Sequence, residues 1–197
     1  MEEQQLTLFD LSDGIILGCD EAGRGPLCGP VVTAGCVLSE DFPFEVLNDS
    51  KKLSEKQREY AERIIKEKAV DFEIIFISNE EIDEINILQA SLKGMAECAK
   101  RIMERTKVDT ILIDGNKVPK QLEGYPVRAE VKGDARFHEI MAASILAKTA
   151  RDRFMLELDE KYPEYNFKKN KGYPTKEHIE AIEKYGLTPY HRRSFHW

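Results

Sequence analysis

Short apolar runs alternate along this chain with longer stretches whose apolar residues recur every three or four positions, the two periods of strands and amphipathic helices. Gly14–Asp20 and Pro30–Leu38, rich in Val, Ile and Cys, predict a hairpin pair of strands. Val70–Ser78 predicts a third, with Phe72, Ile74 and Phe76 on one face. Val108–Ile113 and Tyr125–Val131 predict two more. Ser54-Glu55-Lys56-Gln57 is a capping box, and Tyr60, Ala61, Ile64 and Ile65 give the helix behind it one buried face. Asn79 is expected to cap a short acidic helix through Ile85. Leu88, Leu92, Met95, Ala96, Ala99, Ile102 and Met103 place an amphipathic helix over 88–105. From Phe137 to about Leu158 a further helix begins apolar nearly all round, so its first half should be buried. Pro163 and Pro174 bracket a basic loop, after which Thr175 caps a last helix to about Tyr185.

Three strands followed by helix, strand, helix, strand, helix predict an α/β layer fold with a mixed sheet, part hairpin and part parallel. The expected organisation is a mobile tail over residues 1–12 and one domain over 13–197 with a helical C-terminal extension.

Composition narrows the class. Of 197 residues 42% are apolar and 33% charged, the balance of a soluble globular chain. The longest apolar run, Ile140–Ala147 interrupted by Ser144, is too short to span a membrane. Met1-Glu2-Glu3-Gln4-Gln5 is no secretory signal, so a cytoplasmic location is the default expectation. Cys19, Cys28, Cys36 and Cys98 lack metal-ligand spacing and are expected to be buried thiols. A net charge of −7 argues against a general nucleic-acid coat protein. The charge is uneven, however: beyond Tyr162, Lys168, Lys169, Lys171, Lys176, Lys184, Arg192 and Arg193 outnumber the acids, which allows a locally basic face.

The chemistry concentrates between Gly18 and Pro30. Asp20 and Glu21 fall where a strand ends and a glycine-rich loop begins, and Gly23, Gly25 and Gly29 allow close backbone approach to a ligand. Negative charge there implies either a cation site beside a backbone-lined pocket or a polar loop with two solvated acids. Asp114 and Asp134 recur in the same context, each after a predicted strand and beside a glycine. Taken singly, Asp134 reads as a helix cap and Asp114 as a turn former. Taken together, acids at strand ends converge in α/β sheets, and such hard oxygen ligands suit Mg²⁺ or Mn²⁺. Two such ions about 4 Å apart can cleave a phosphodiester.

Asp20-Glu21-Ala22-Gly23-Arg24-Gly25-Pro26 resembles the signature of ribonuclease HII. So do Asp49-Ser50-Lys51-Lys52-Leu53, Ile113-Asp114-Gly115-Asn116, Lys132-Gly133-Asp134, Ala142 to Lys148, Lys171 to Thr175 and His191 to Phe195, in the family's order. The resemblance implies a ribonuclease-H-like five-stranded mixed sheet flanked by helices. It also implies cleavage of RNA in RNA–DNA hybrids, and incision 5′ of single ribonucleotides in duplex DNA, by two divalent ions. Carried over by position, Asp20, Glu21, Asp114 and Asp134 would be the catalytic, metal-binding acids. Gly23, Arg24 and Gly25 would read the ribose 2′-hydroxyl, Tyr173 would stack on the following sugar, and Lys51 and Lys52 would hold phosphate. Arg24, Asp134 and the short N-terminus favour this family over ribonuclease HIII. The chain departs from the pattern at Phe137-His138-Glu139 and at Asn170, where His is frequent. Another two-metal nuclease of this fold, or a hybrid-binding module without catalysis, are the rival readings.

Gln5-Leu6-Thr7-Leu8-Phe9 reads first as an alternating apolar stretch that packs on its own domain; it also resembles the short peptide by which bacterial replication and repair enzymes dock on the sliding clamp. Ser144 is expected to bond the helix backbone one turn back. Lys168, Lys169 and Lys171, beside Tyr173, read either as contacts to a duplex backbone or as a solvated loop, Arg192 and Arg193 read in the same two ways, and His178 and His196 read as surface residues. Phe195 and Trp197 are expected to pin the terminus. Monomer is the default.

Overall fold

The computed structural model describes residues 14–47 and 53–197. Five strands form one sheet: β1 (Ile16–Ala22), β2 (Val31–Val37), β3 (Asp71–Ile77), β4 (Thr110–Asp114) and β5 (Val127–Glu130), in the spatial order β3-β2-β1-β4-β5. β1 to β3 form an antiparallel meander, whereas β4 and β5 join β1 in parallel. This is the expected mixed sheet.

Helices α1 (Glu55–Lys68), α2 (Asn79–Ile85), α3 (Ile87–Met103), α4 (His138–Lys161), α5 (Phe167–Asn170) and α6 (Lys176–Tyr185) complete the chain. β2 is buried along its whole length because both faces are covered. Val32, Ala34 and Cys36 pack with α1 and the first half of α4. Val37, with Leu17 and Cys19 of β1, packs on α3. α4 lies so close to β1 that a Cβ on Gly18 would stand 2.3 Å from the Ile140 backbone nitrogen. Its first half is buried as expected, Ile140, Ala142, Ala143, Ile145, Leu146 and Ala147 all being fully covered.

The Ser54 capping box forms as predicted, with both reciprocal bonds present. Asn79 does not cap α2; Ser78 does, accepting from the Glu81 N–H. The Asn79 amide instead donates to the carbonyl of Pro189 at 2.9 Å, tying α2 to the C-terminal segment. The basic loop between the two prolines contains a 3-10 turn and α5, whose Phe167 is fully buried against Tyr165, Met155 and Ala181. Phe195 is half-buried against the same cluster, whereas Trp197 is exposed and pins nothing. All four cysteines are buried free thiols. Among the described residues no helix is long and apolar enough to cross a membrane. The tail with Gln5, Leu6, Leu8 and Phe9, and the loop with Lys51 and Lys52, lie outside the described residues.

Candidate active site

Parallel pairing of β1 with β4 ends on the pair Cys19–Ile113, so Asp20 and Asp114 are the next residues on neighbouring strands. Each predicted acid reaches this place by its own route. Asp114 does end its strand, but β1 runs on to Ala22 along β2, with Asp20 opposite Ala34. Asp20 is therefore inside a strand rather than at its end. Asp134 is not at a strand end either: β5 stops at Glu130, and Asp134 lies in a 3-10 turn entered through Lys132 in the left-handed conformation. The Asp134 N–H donates to Asp114 Oδ1 at 3.2 Å.

The acids are close enough to feel one another. Burial holds the Asp20 carboxyl well above its ordinary range, and the charges of Glu21 and Asp114 push it further. The Ser144 hydroxyl and the Glu21 N–H, at 2.7 Å, donate to Asp20 and oppose that rise. Ser144 thus bonds an acid rather than the backbone a turn back; Thr149 is the residue that does the latter, to Ile145. Burial also raises Glu21, with Arg24 pulling it down at 3.3 Å. Among the described residues no three His, Cys, Asp or Glu side chains close around one point at metal-ligand spacing. The donor chemistry nonetheless fits a divalent cation. Glu21 Oε2 is buried with no hydrogen-bond partner, beside carboxylates that repel one another. A hard cation satisfies both conditions at once.

Of the four acids, Glu21 lines a cavity of about 400 Å³. Gly23, Arg24 and Gly25 form one wall and Tyr173 another; a Cβ on Gly25 would meet the tyrosine ring at 3.3 Å. Ser144, Lys148 and Arg151 of α4 line the floor with Arg58 of α1. Asp152 bridges the cations, bonding Lys148 at 2.7 Å and lying 3.7 Å from Arg58. Glu21, next to Asp20 in the chain, thus brings the acids to the edge of a cavity whose other charged lining residues are cations, which suits a phosphodiester whose neighbouring phosphate meets those cations.

Sequence reasoning overlooked Arg58, Lys148 and Arg151 as cavity residues. The available signal was a polar stripe, Ser144, Lys148 and Arg151, at helical spacing in an otherwise apolar segment. It misread Arg192 and His178, which are both fully buried rather than solvated. Arg193 is exposed, as is His196, and Lys169 pairs with Glu177 at 3.2 Å. Asn170 is buried and structural: its side chain donates to Tyr165 O and accepts from the Gly172 N–H, shaping the turn that presents Tyr173.

The chain matches the family model described as Ribonuclease HII over residues 17–197. It is 53% identical over 181 residues to the ribonuclease HII of Francisella tularensis subsp. novicida strain U112, covering 92% of this chain and 96% of that protein. Among solved structures it resembles ribonuclease H2 from Pyrococcus horikoshii OT3, with a TM-score of 0.75 and 29% identity over 92% of this chain and 93% of that one. It also resembles a structure of the PCNA:RNase HII complex from Archaeoglobus fulgidus, with a TM-score of 0.77 and 27% identity over 93% and 96% of the two chains.

Proposed function

The chain belongs to the ribonuclease HII family, whose members are ribonuclease H endonucleases of RNA–DNA hybrids, and from that premise we propose that it also incises duplex DNA at single embedded ribonucleotides. Cleavage falls 5′ of the ribonucleotide and leaves 3′-hydroxyl and 5′-phosphate ends. The observation that carries this reading is the shared cavity: the Gly23–Gly25 wall, Tyr173 and Glu21 all border one space. A substrate with a single ribose requires its 2′-hydroxyl to be tested within a nucleotide of the scissile bond.

In this reading Asp20, Glu21, Asp114 and Asp134 hold Mg²⁺ or Mn²⁺. Such ions, when bound, activate water and stabilise the leaving oxygen. Ser144 and the Glu21 N–H hold the Asp20 carboxylate in place by donating to it. Gly23, Arg24 and Gly25 present backbone groups to the 2′-hydroxyl, which is both donor and acceptor. Tyr173 stacks on the next sugar and senses the junction with DNA. Arg58 and Lys148 take a flanking phosphate, joined by Lys51 and Lys52 from the loop outside the described residues. The tail segment Gln5-Leu6-Thr7-Leu8-Phe9 docks on the bacterial sliding clamp, a reading supported by the complex of the archaeal relative with PCNA.

The test is cleavage of a duplex carrying one ribonucleotide, with Mg²⁺ or Mn²⁺, beside an all-DNA duplex and the Asp20→Asn protein. A single cut 5′ of the ribonucleotide, absent from both controls, is the expected outcome. Equal cutting of all-DNA duplex, or full activity of the variant, would end this reading. Leu8→Ala with Phe9→Ala should abolish clamp binding, and an intact protein that does not bind the clamp removes that part alone.

A further inference from the structure

Behind the Gly23–Gly25 wall lie two buried guanidinium groups, Arg151 and Arg192, neither ion-paired to a carboxylate among the described residues. Their N–H groups go to backbone carbonyls instead. Arg151 donates through Nε to Pro30 O, Nη1 to Lys171 O and Nη2 to Cys28 O, each at 3.0 Å. Arg192 donates through Nε to Gly29 O at 2.9 Å, Nη1 to Arg24 O at 3.0 Å and Nη2 to Gly23 O at 2.6 Å. Gly23 is held in the positive-φ region, and a Cβ there would lie 2.0 Å from Arg151 Nε, so the loop rests directly on this pair.

The consequence follows from peptide planarity. In a trans peptide the carbonyl of one residue and the N–H of the next point in opposite directions. Drawing the Gly23 and Arg24 carbonyls inward onto Arg192 therefore turns the Arg24 and Gly25 N–H groups outward, on the side where these residues line the cavity. Neither N–H donates to a backbone acceptor among the described residues. We propose that Arg192 is the positioning residue for ribose recognition: its fork sets the two outward N–H groups that meet the 2′-hydroxyl. This inference rests on the reading of Gly23–Gly25 as the ribose probe.

Only a planar fork fits the role. A lysine ammonium in the same place is a point donor and cannot span three carbonyls with fixed directions. Burial and the neighbouring Arg151 pull Arg192 down to about 9, so it stays a full cation donor at neutral pH. A carboxylate partner would satisfy that charge but leave the loop carbonyls unaimed.

The experiment is equilibrium binding without divalent metal, so that no cleavage intervenes. Wild-type protein and Arg192→Lys are titrated with a duplex carrying one embedded ribonucleotide and with the matching all-DNA duplex. Wild type should prefer the ribonucleotide duplex. Arg192→Lys should lose about tenfold of that preference, the scale of one or two misdirected hydrogen bonds, with all-DNA affinity within about twofold. A preference that survives in Arg192→Lys, or an equal loss on both duplexes, overturns the positioning role. A wild type without preference overturns the ribose-probe reading itself, and this inference with it. Should Arg192→Lys fail to fold, hydrogen exchange in the wild type decides. The Arg24 and Gly25 amides should slow with the ribonucleotide duplex and not with all-DNA; no difference between the duplexes overturns the proposal.

Discussion

The carboxylate of Asp114 accepts the backbone N–H of Asp134 at 3.2 Å, so the acid that ends β4 and the acid of the later turn are held as one unit. Gly133 makes this contact possible, because a Cβ there would stand 2.5 Å from Ile140 Cδ1 and 3.2 Å from Asp114 Oδ1. Gly133→Ala is therefore expected to push the turn away from Asp114. The ribonuclease should keep its fold, lose about 1–2 kcal/mol of stability to overpacking, and lose at least about tenfold in kcat. Unchanged kcat in a folded variant would mean that the spacing of these two acids is not critical.

Asp20→Asn should separate stability from activity. Burial, Glu21 and Asp114 all hold the Asp20 carboxyl above its ordinary range, so its charge destabilises the metal-free fold near neutral pH. The neutral isostere should unfold at a higher temperature in EDTA, by the equivalent of about 1 kcal/mol, while cleavage falls at least about a hundredfold. Added Mg²⁺ should raise the wild-type melting temperature and leave that of the variant almost unchanged. Calorimetry with and without metal checks both points, and a variant less stable than wild type in EDTA contradicts the account.

Lys148 faces the cavity from α4 and is tied to Asp152 at 2.7 Å. Lys148→Met keeps the stem and removes the charge. It should raise KM for an RNA–DNA hybrid about tenfold with kcat within about twofold, and reduce the slope of log binding constant against log salt by about one. A fall in kcat at constant KM would place Lys148 in the chemical step instead.

The hairpin, the Ser54 cap and the buried start of α4 were legible because each depends on residues close together in the chain. Asp20, Glu21, Asp114 and Asp134 were legible through their shared glycine-rich contexts, although Asp20 and Asp134 prove not to lie at strand ends. Arg192 and His178 were not legible. A basic residue in a polar segment reads as solvated, and nothing local to Arg192 signals that Gly23 and Arg24, far earlier in the chain, supply its acceptors. Ser144 was misread for the same reason, its partner Asp20 being distant in sequence. Long-range polar satisfaction leaves no periodic trace.

The last expectation concerns a buried histidine pair. The Thr188 N–H donates to His191 Nδ1 at 2.9 Å, which makes that nitrogen an acceptor and leaves the proton on Nε2. His191 Nε2 then donates to His178 Nε2 at 3.1 Å, and His178 Nδ1 donates to Tyr173 O at 2.9 Å. Every member of this relay must be neutral, for a second proton on either ring would set two donors against each other. Burial lowers both rings from their ordinary 6.5, with His178 helping to bring His191 to about 4; Tyr165, Phe167 and Thr188 complete the surroundings. The sign follows directly: above pH 6.5 neither state binds the proton and stability is unaffected. Below it the unfolded chain takes up protons that the folded chain refuses, so stability falls until about pH 4 and then levels. His191 alone should remove about 2 kcal/mol between pH 7 and pH 5. Glu62, Asp71 and Asp83, whose pKa values are lowered, lose their contribution only below their ordinary carboxylate range, outside that interval. His138 is also lowered and adds in the same direction, whereas Asp20, Glu21 and Glu139, whose carboxyls are raised, act in the opposite one, so the comparison must be with His191→Gln. Urea unfolding at pH 7, 6 and 5 should show wild type losing about 2 kcal/mol more than His191→Gln on going from pH 7 to pH 5, whatever the stability of the variant at pH 7. Parallel profiles for the two proteins would show that the relay is not what refuses the proton.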